Sequence, residues 1–117
     1  MAGERDLARL LAALDPDLHS ERYSFLTTSN RSLCDSDFAI VREEEGLTAI
    51  RPDPSGEWAR ISLRVHSSLE AVGLTAALSA RLAERGISAN IVAALRHDHI
   101  FVPWDRREEA VEALRSA

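Results

Sequence analysis

Leucines at 7, 10, 11 and 14 recur at i, i+3, i+4 and i+7 in "ERDLARLLAAL", so residues 4–14 are predicted to form an amphipathic helix. Asp15-Pro16 closes it, because the residue before a proline disfavours the helical region. "RYSFLTT" (22–28) alternates and is rich in aromatic and β-branched side chains, the pattern of a strand. "NRSLCDSD" has loop composition. "FAIVREEEGLTAIRP" predicts a hairpin, with strands near 38–43 and 47–51 turning at Glu44-Glu45-Gly46. "PDPSGE" (52–57), with two prolines and a glycine, is the best linker candidate in the chain.

The second half is more regular. "RISLRV" (60–65) sets Ile61, Leu63 and Val65 against Arg60, Ser62 and Arg64, a strand buried on one face and wet on the other. Ser67 followed by Glu70 reads as a capping box, opening a helix that runs to about Arg85, with Gly86 as its left-handed stop. One stripe of this helix (Glu70, Gly73, Ala77, Arg81, Glu84) holds nearly all its charge. The two flanks, Ala71, Leu74, Leu78 and Leu82 on one side and Leu69, Val72, Ala76 and Ala83 on the other, are both apolar. Both are therefore expected to be buried, one against the sheet and one against a second element or subunit. Residues 87–95 and 99–103 are predicted strands with a turn around Arg96 to Asp98. Asp105 and Glu108 form a second expected capping box, before a helix whose apolar stripe is Ala110, Val111 and Leu114.

Residues 60–117 thus read β-α-β-β-α, one strand short of the ferredoxin-like β-α-β-β-α-β unit. The simplest source of the missing strand is the first half of the chain. Composition fits a soluble domain: 45% of the 117 residues are hydrophobic and 28% charged. No run approaches 18 apolar residues, so no membrane span or membrane partner is expected, and the charged N-terminus lacks the apolar core of a signal peptide. A cytoplasmic location follows as the expectation, and the single Cys34 fits a reducing compartment. Net charge is −5, and all 14 basic residues are arginines, scattered except for Arg106-Arg107, so there is no basic stripe for a nucleic acid.

The run "RISLRVHSSLEAVGLTAALSARLAERGISANIV", with "HDHIFVP" and the upstream "EEEGLTAIRP", resembles a small bacterial family of ACT-domain proteins, over nearly the whole chain. That resemblance implies an α+β fold: a ferredoxin-like (ACT-type) antiparallel sheet with helices on one face, in two tandem ACT-like units. The first, abbreviated unit would be residues 1–58 and the second 59–117. ACT domains typically bind amino acids at domain interfaces and pair side by side, and pairs of this kind are also similar to the arginine-sensing CASTOR proteins. The resemblance therefore implies a regulatory or sensor module for a small molecule, an amino acid by class, with a homodimer through a helix flank or sheet edge. Leu95-Arg96 departs from the family pattern, which has aromatic residues before "HDH".

In a ferredoxin-like unit the loop His66–Ser68 and the turn Arg96–His99 meet at one edge of the sheet, where a helix start suits a carboxylate. By resemblance the ligand edge comprises His66, Ser67, Ser68, Leu69, Val72 and Gly73, with Asn90 as an outlier. Each residue also has a plainer reading. Ser67 and Glu70 are explained by capping, Asp98 by the turn, and Gly73 by close helix packing as well as by ligand approach. His97 and His99 share a strand face at a spacing compatible with zinc, with His66 as a third nitrogen. No Cys or Glu-x-x-His pattern accompanies them, so they read first as hydrogen-bonded structural histidines lining the sheet edge, where His97 and His99 also join the candidate ligand-binding residues; neither metal nor cofactor is expected. Glu45, with Glu43 and Glu44, could hold a ligand ammonium or simply be a solvated turn. Cys34 has no cationic neighbour in sequence to activate it, and Trp58 and Trp104 read as covers of core edges. No phosphate loop, nucleophile–base order or paired carboxylates emerge, so no enzyme activity is expected. Two alternatives stand beside the sensor: a ligand-free dimerisation or protein-interaction module, and a metal-dependent hydrolase on His66, His97 and His99.

Overall fold

The computed structural model describes residues 3–29 and 36–115, so Cys34 and most of the loop expected around it lie outside the described residues. The elements are α1 (Leu7–Ala12), β1 (Pro16–Thr28), β2 (Ala39–Glu43), β3 (Gly46–Pro52), β4 (Trp58–Leu63), α2 (Leu74–Ala83), β5 (Asn90–Ala93), β6 (Asp98–Pro103), a short 3-10 turn (Trp104–Arg106) and α3 (Arg107–Arg115). The strands form one six-stranded sheet in the order β2-β3-β1-β4-β6-β5, and every neighbouring pair is antiparallel.

β1 is the joint of this sheet. Its C-terminal half pairs with β3 (Tyr23 opposite Pro52 through Thr28 opposite Leu47). Its N-terminal half pairs with β4 (Pro16 opposite Leu63, Leu18 opposite Ile61). The register shifts between Leu18 and Arg22. The missing neighbour of β4 is thus supplied by the first half of the chain. The strand is longer than the predicted 22–28 because Pro16 can begin a strand, while the polar run Ser20-Glu21 at the shift hides the alternation. The expected linker is a tightly hydrogen-bonded loop: the Asp53 carboxylate accepts from the Ser24 hydroxyl and from the Ser55 backbone N–H and hydroxyl, each at 2.9 Å.

Alternation sorts the two faces. Ala59, Ile61 and Leu63 of β4 and Ile100 and Val102 of β6 are fully buried against α1, α2 and α3, through Leu10, Leu78, Leu82, Ala110 and Leu114. Each such leucine contributes about 1.5–3 kcal/mol by leaving water. The other face carries a second cluster, Tyr23, Ile50 and Phe101 with Phe38, Trp58 and Val92 around it, to which no described helix contributes. Tyr23 and Phe38 each meet Phe101 edge-on, at 5.5 and 5.3 Å between ring centroids.

Three helix starts differ from the sequence expectation. α1 begins at Leu7, where Asp6 caps it by accepting from the Arg9 N–H at 3.1 Å, because Glu4 is held elsewhere by backbone bonds. α3 begins at Arg107: the Trp104 N–H donates to the Glu57 carbonyl at 2.8 Å, a 3-10 turn starts there, and Asp105 falls inside it instead of capping. α2 begins at Leu74, seven residues after Ser67, and buries a single flank, Leu74, Leu78 and Leu82. Of the other expected flank, Leu69 and Val72 precede the helix and are exposed, as are Ala76 and Ala83.

Candidate functional site

The chain leaves β4 at Leu63 into a loop, residues 64–73, that is tied from three sides. The Arg64 N–H donates to the Asp15 carbonyl at 3.1 Å, anchoring the loop to the chain just before β1. The Glu4 N–H donates to the His66 carbonyl at 2.8 Å and the Ser68 N–H to the Glu4 carbonyl at 2.9 Å, so the N-terminal segment runs along the loop as a parallel bridge. Gly3 makes that approach possible, since a Cβ there would lie 2.6 Å from the Ser67 carbonyl carbon. On the third side the Ser67 hydroxyl donates to the buried Asp98 carboxylate at 2.9 Å, and His97 Nδ1 lies 3.3 Å from the Val65 carbonyl.

These ties explain why no capping box forms. Ser67 Oγ, the expected cap, is committed to Asp98 across the sheet edge. The Glu70 N–H turns to Ser68 Oγ at 3.0 Å, a local turn that competes with helix formation. Gly73, at φ +91°, is the residue before α2, a conformation that favours glycine. The helix start therefore lies away from Ser67, and the Ser68 N–H already has Glu4 as its acceptor.

Opposite the loop stands the β5–β6 hairpin, closed by the Ala94 N–H donating to the His97 carbonyl at 3.1 Å. The loop and the hairpin are neighbours, as the strand order implied. Between them opens a cleft of about 620 Å³ lined by Gly3, His66, Ser68, Leu69, Glu70, Leu95 and Arg96. Its rim is apolar and uncovered: Leu69 is 66% and Leu95 63% exposed, with Val72 at 83% close by in the loop. Beneath it, between Ser67, Leu74, Ala93 and Asp98, a hollow of about 70 Å³ remains.

Of the residues singled out in the sequence, His66, Ser68 and Leu69 line the cleft, and Ser67 and His97 support it, the His66 and His97 rings lying 6.3 Å apart. Val72 and Gly73 lead from it into α2. Asn90 is exposed at the end of β5 away from the hairpin. Glu45 is exposed in the β2–β3 turn beside the C-terminal end of β1, whereas the loop leaves β4 beside the N-terminal end of β1; the two are not brought together. The Gly3–Glu4 segment was not singled out, nor was His19 on the other sheet face; Leu95-Arg96, noted in the sequence only as a departure from the family pattern, forms cleft wall. The alternation Arg60-Ser62-Arg64 was the available signal for a polar sheet face, but the register placing His19 against it is long-range.

His99 points to that face. The Ser62 hydroxyl lies 2.7 Å from His99 Nδ1 and 2.8 Å from His19 Nε2. Burial, then the charge of Arg60 and then His97 and His19, hold the His99 pKa down at about 4. Burial and Arg60 also lower that of His19. His66, His97 and His99 do not converge, and among the described residues no group of three His, Cys, Asp or Glu side chains is placed to hold a metal ion. No described helix is long and apolar enough to cross a membrane.

Comparison with known proteins bears on this geometry. Residues 56–116 match one family model described as ACT domain, and residues 2–68 match a second with the same description. A crystal structure of a Vibrio cholerae protein of unknown function, described as a possible transport protein, is similar at 42% identity, covering 92% of each chain with a TM-score of 0.78. An Agrobacterium tumefaciens protein shares the fold at 18% identity, covering 86% of this chain and 85% of that one with a TM-score of 0.64. No curated protein matches.

Proposed function

Since the chain belongs to the ACT domain family, whose members generally form regulatory ligand-binding modules, we propose that it is a non-catalytic sensor for an amino acid held at the loop–hairpin cleft. One observation carries this reading: the cleft joins Arg96, Glu70 and the exposed Leu69 and Leu95 in one opening. A zwitterion needs a cation for its carboxylate, an anion for its ammonium and an apolar wall for its side chain. Arg96, Glu70 and the two leucines are of those kinds. His66 and Ser68 add hydrogen-bonding groups at the same rim. In this reading the sheet is two tandem ferredoxin-like units, 1–58 and 59–117, with β1 standing as the fourth strand beside β4. The two matched segments support a pair of such units, and their overlap over residues 56–68 spans the proposed boundary.

A thermal-shift panel of the twenty amino acids tests the proposal. A ligand present at about 100 times its Kd stabilises by about 2.7 kcal/mol. The expected result is a rise in Tm with one amino acid or a related group of them, lost in Arg96→Ala. No shift with any amino acid would sink the reading.

The exposed Leu69, Val72 and Leu95 favour a second reading, in which another copy of the chain covers this edge without ligand. Light scattering separates the two: a dimer broken by Leu69→Asp and indifferent to amino acids supports the second.

A further inference from the structure

The helix-free face of the sheet holds a second pocket, distinct from the loop cleft though His97 borders both. It has a volume of about 330 Å³ and is lined by Asp17 and His19 of β1, Arg60 and Ser62 of β4, Arg64 just beyond, and His97 and His99 of the hairpin and β6. Its charges do not balance. Arg64 is paired with Asp17 at 3.2 Å. Arg60 has no carboxylate partner among the described residues: its Nη1 donates to the Tyr23 hydroxyl at 2.9 Å, its Cζ lies 4.5 Å over the Phe38 ring, and its Nε is buried without an acceptor. A guanidinium stacked on an aromatic ring and lacking an anion is held in place but not satisfied.

The hydrogen-bond chain beside it is equally open. Ser62 has a single proton to give, and it stands between His19 Nε2 and His99 Nδ1. If it donates to one imidazole, it accepts from the other, and each ring keeps a second nitrogen for another partner. Phe38 packs edge-on against His99 at 4.9 Å between centroids, so the Arg60 guanidinium and the His99 imidazole flank one aromatic wall.

We propose that this pocket is an oxyanion site, in which Arg60 and the His19–Ser62–His99 chain hold the carboxylate or phosphate group of a small ligand. This inference does not rest on the amino-acid reading of the loop cleft and could hold if that reading failed. A bound oxyanion supplies the charge Arg60 lacks and acceptors for imidazole N–H groups. Around His99 the charged and titratable groups are Arg60 and Arg64 from β4 and beyond it, Asp17 and His19 from β1, and His97 from the hairpin. Burial first, and the charge of Arg60 second, keep both imidazoles neutral; an anion among them offsets the second, so binding strengthens as pH falls below the ordinary histidine range.

The test is titration of the full chain with inorganic phosphate, with acetate and with chloride at constant ionic strength, followed through the imidazole NMR signals. Saturable shifts of His19 and His99 with phosphate or acetate, tightening at lower pH, are expected. Saturation by phosphate alone assigns the site to phosphate-bearing ligands, and by acetate alone to carboxylates. Arg60→Gln is expected to weaken the affinity about tenfold or more while leaving the amide spectrum folded. If Arg60→Gln does not fold, Ser62→Ala replaces it and is expected to uncouple the two histidine responses. Unsaturable shifts that chloride reproduces, or saturable ones unchanged by both variants, overturn the proposal.

Discussion

Removal of the Ser67 hydroxyl strips the Asp98 carboxylate, only 6% exposed, of the donor at 2.9 Å. A buried acceptor left without its donor costs about 1–3 kcal/mol, so Ser67→Ala is expected to lower the unfolding free energy by that amount, read as a lower urea midpoint with an unchanged slope. A change within a few tenths of a kcal/mol would show that the bond is not maintained in solution. His99 supplies a pH signature at the same scale. Its pKa is about 4 in the folded chain against 6.5 ordinarily, so the unfolded chain takes up the proton first as pH falls. The contribution of neutral His99 is therefore complete above pH 6.5 and is lost progressively toward pH 4, and His99→Gln is expected to flatten that decline, leaving the part due to His19. Unfolding curves collected across this window check the sign, and a stability that rises on acidification would contradict it. Both effects depend on distant parts of the chain: Ser67 and Asp98 are 31 residues apart, and His99 is half-buried in the sheet beside Arg60 of another strand. A capping box was the nearest local use for Ser67, and the sequence offered no sign of the distant competitor.

At the scale of elements, α2 shows what local pattern can and cannot supply. The leucines at 74, 78 and 82 marked its buried flank correctly, because helical spacing is an internal property of the segment. Its start was misplaced, because Gly73 takes φ +91° and the preceding turn is stabilised by the loop's ties to Glu4 and Asp98. Gly73→Ala tests this start. An L-residue in the left-handed region costs about 1–2 kcal/mol, and the new Cβ would also lie 3.3 Å from the Leu7 side chain. Net destabilisation of at least about 1 kcal/mol is expected, partly recovered in Gly73→Asn, which tolerates this region better. Were Gly73→Ala to stabilise the protein, the helix would have to extend through 73 in solution. Both hairpins, β2–β3 and β5–β6, were legible to within a few residues, since alternation and a turn signal specify them locally. The N-terminal half of β1 was not, because its strand character comes from pairing with β4 and not from its own side chains. The candidate cleft was half legible for the same reason. The His66–Ser68 loop and its hairpin neighbour followed from strand order, while Glu4 reached the loop by backbone bonds that carry no side-chain signal.

Across the whole molecule, β1 binds the two halves into one sheet, and that sets how the protein must unfold. β4 has β6 on one side and β1 on the other, while β3 has β2 and β1. Withdrawing β1 leaves both β3 and β4 with an open edge and removes Tyr23 from the Phe101 cluster. The helical side is shared as well, since Leu10 and Leu14 from the first half complete the core formed by α2, α3, β4 and β6. Unfolding is therefore expected to be a single transition, with far-ultraviolet circular dichroism and the fluorescence of Trp58 and Trp104 giving the same midpoint. A sharper test is to split the chain. A fragment of residues 59–117 lacks β1, Leu10 and Leu14, so it is expected to melt without cooperativity by itself and to regain a cooperative transition when mixed with residues 1–58. Were the fragment to fold cooperatively alone, the second half would be self-sufficient and β1 an accessory strand. Loss of cooperativity restored by mixing would instead show that the chain needs both halves to close its sheet, whatever ligand its edges hold.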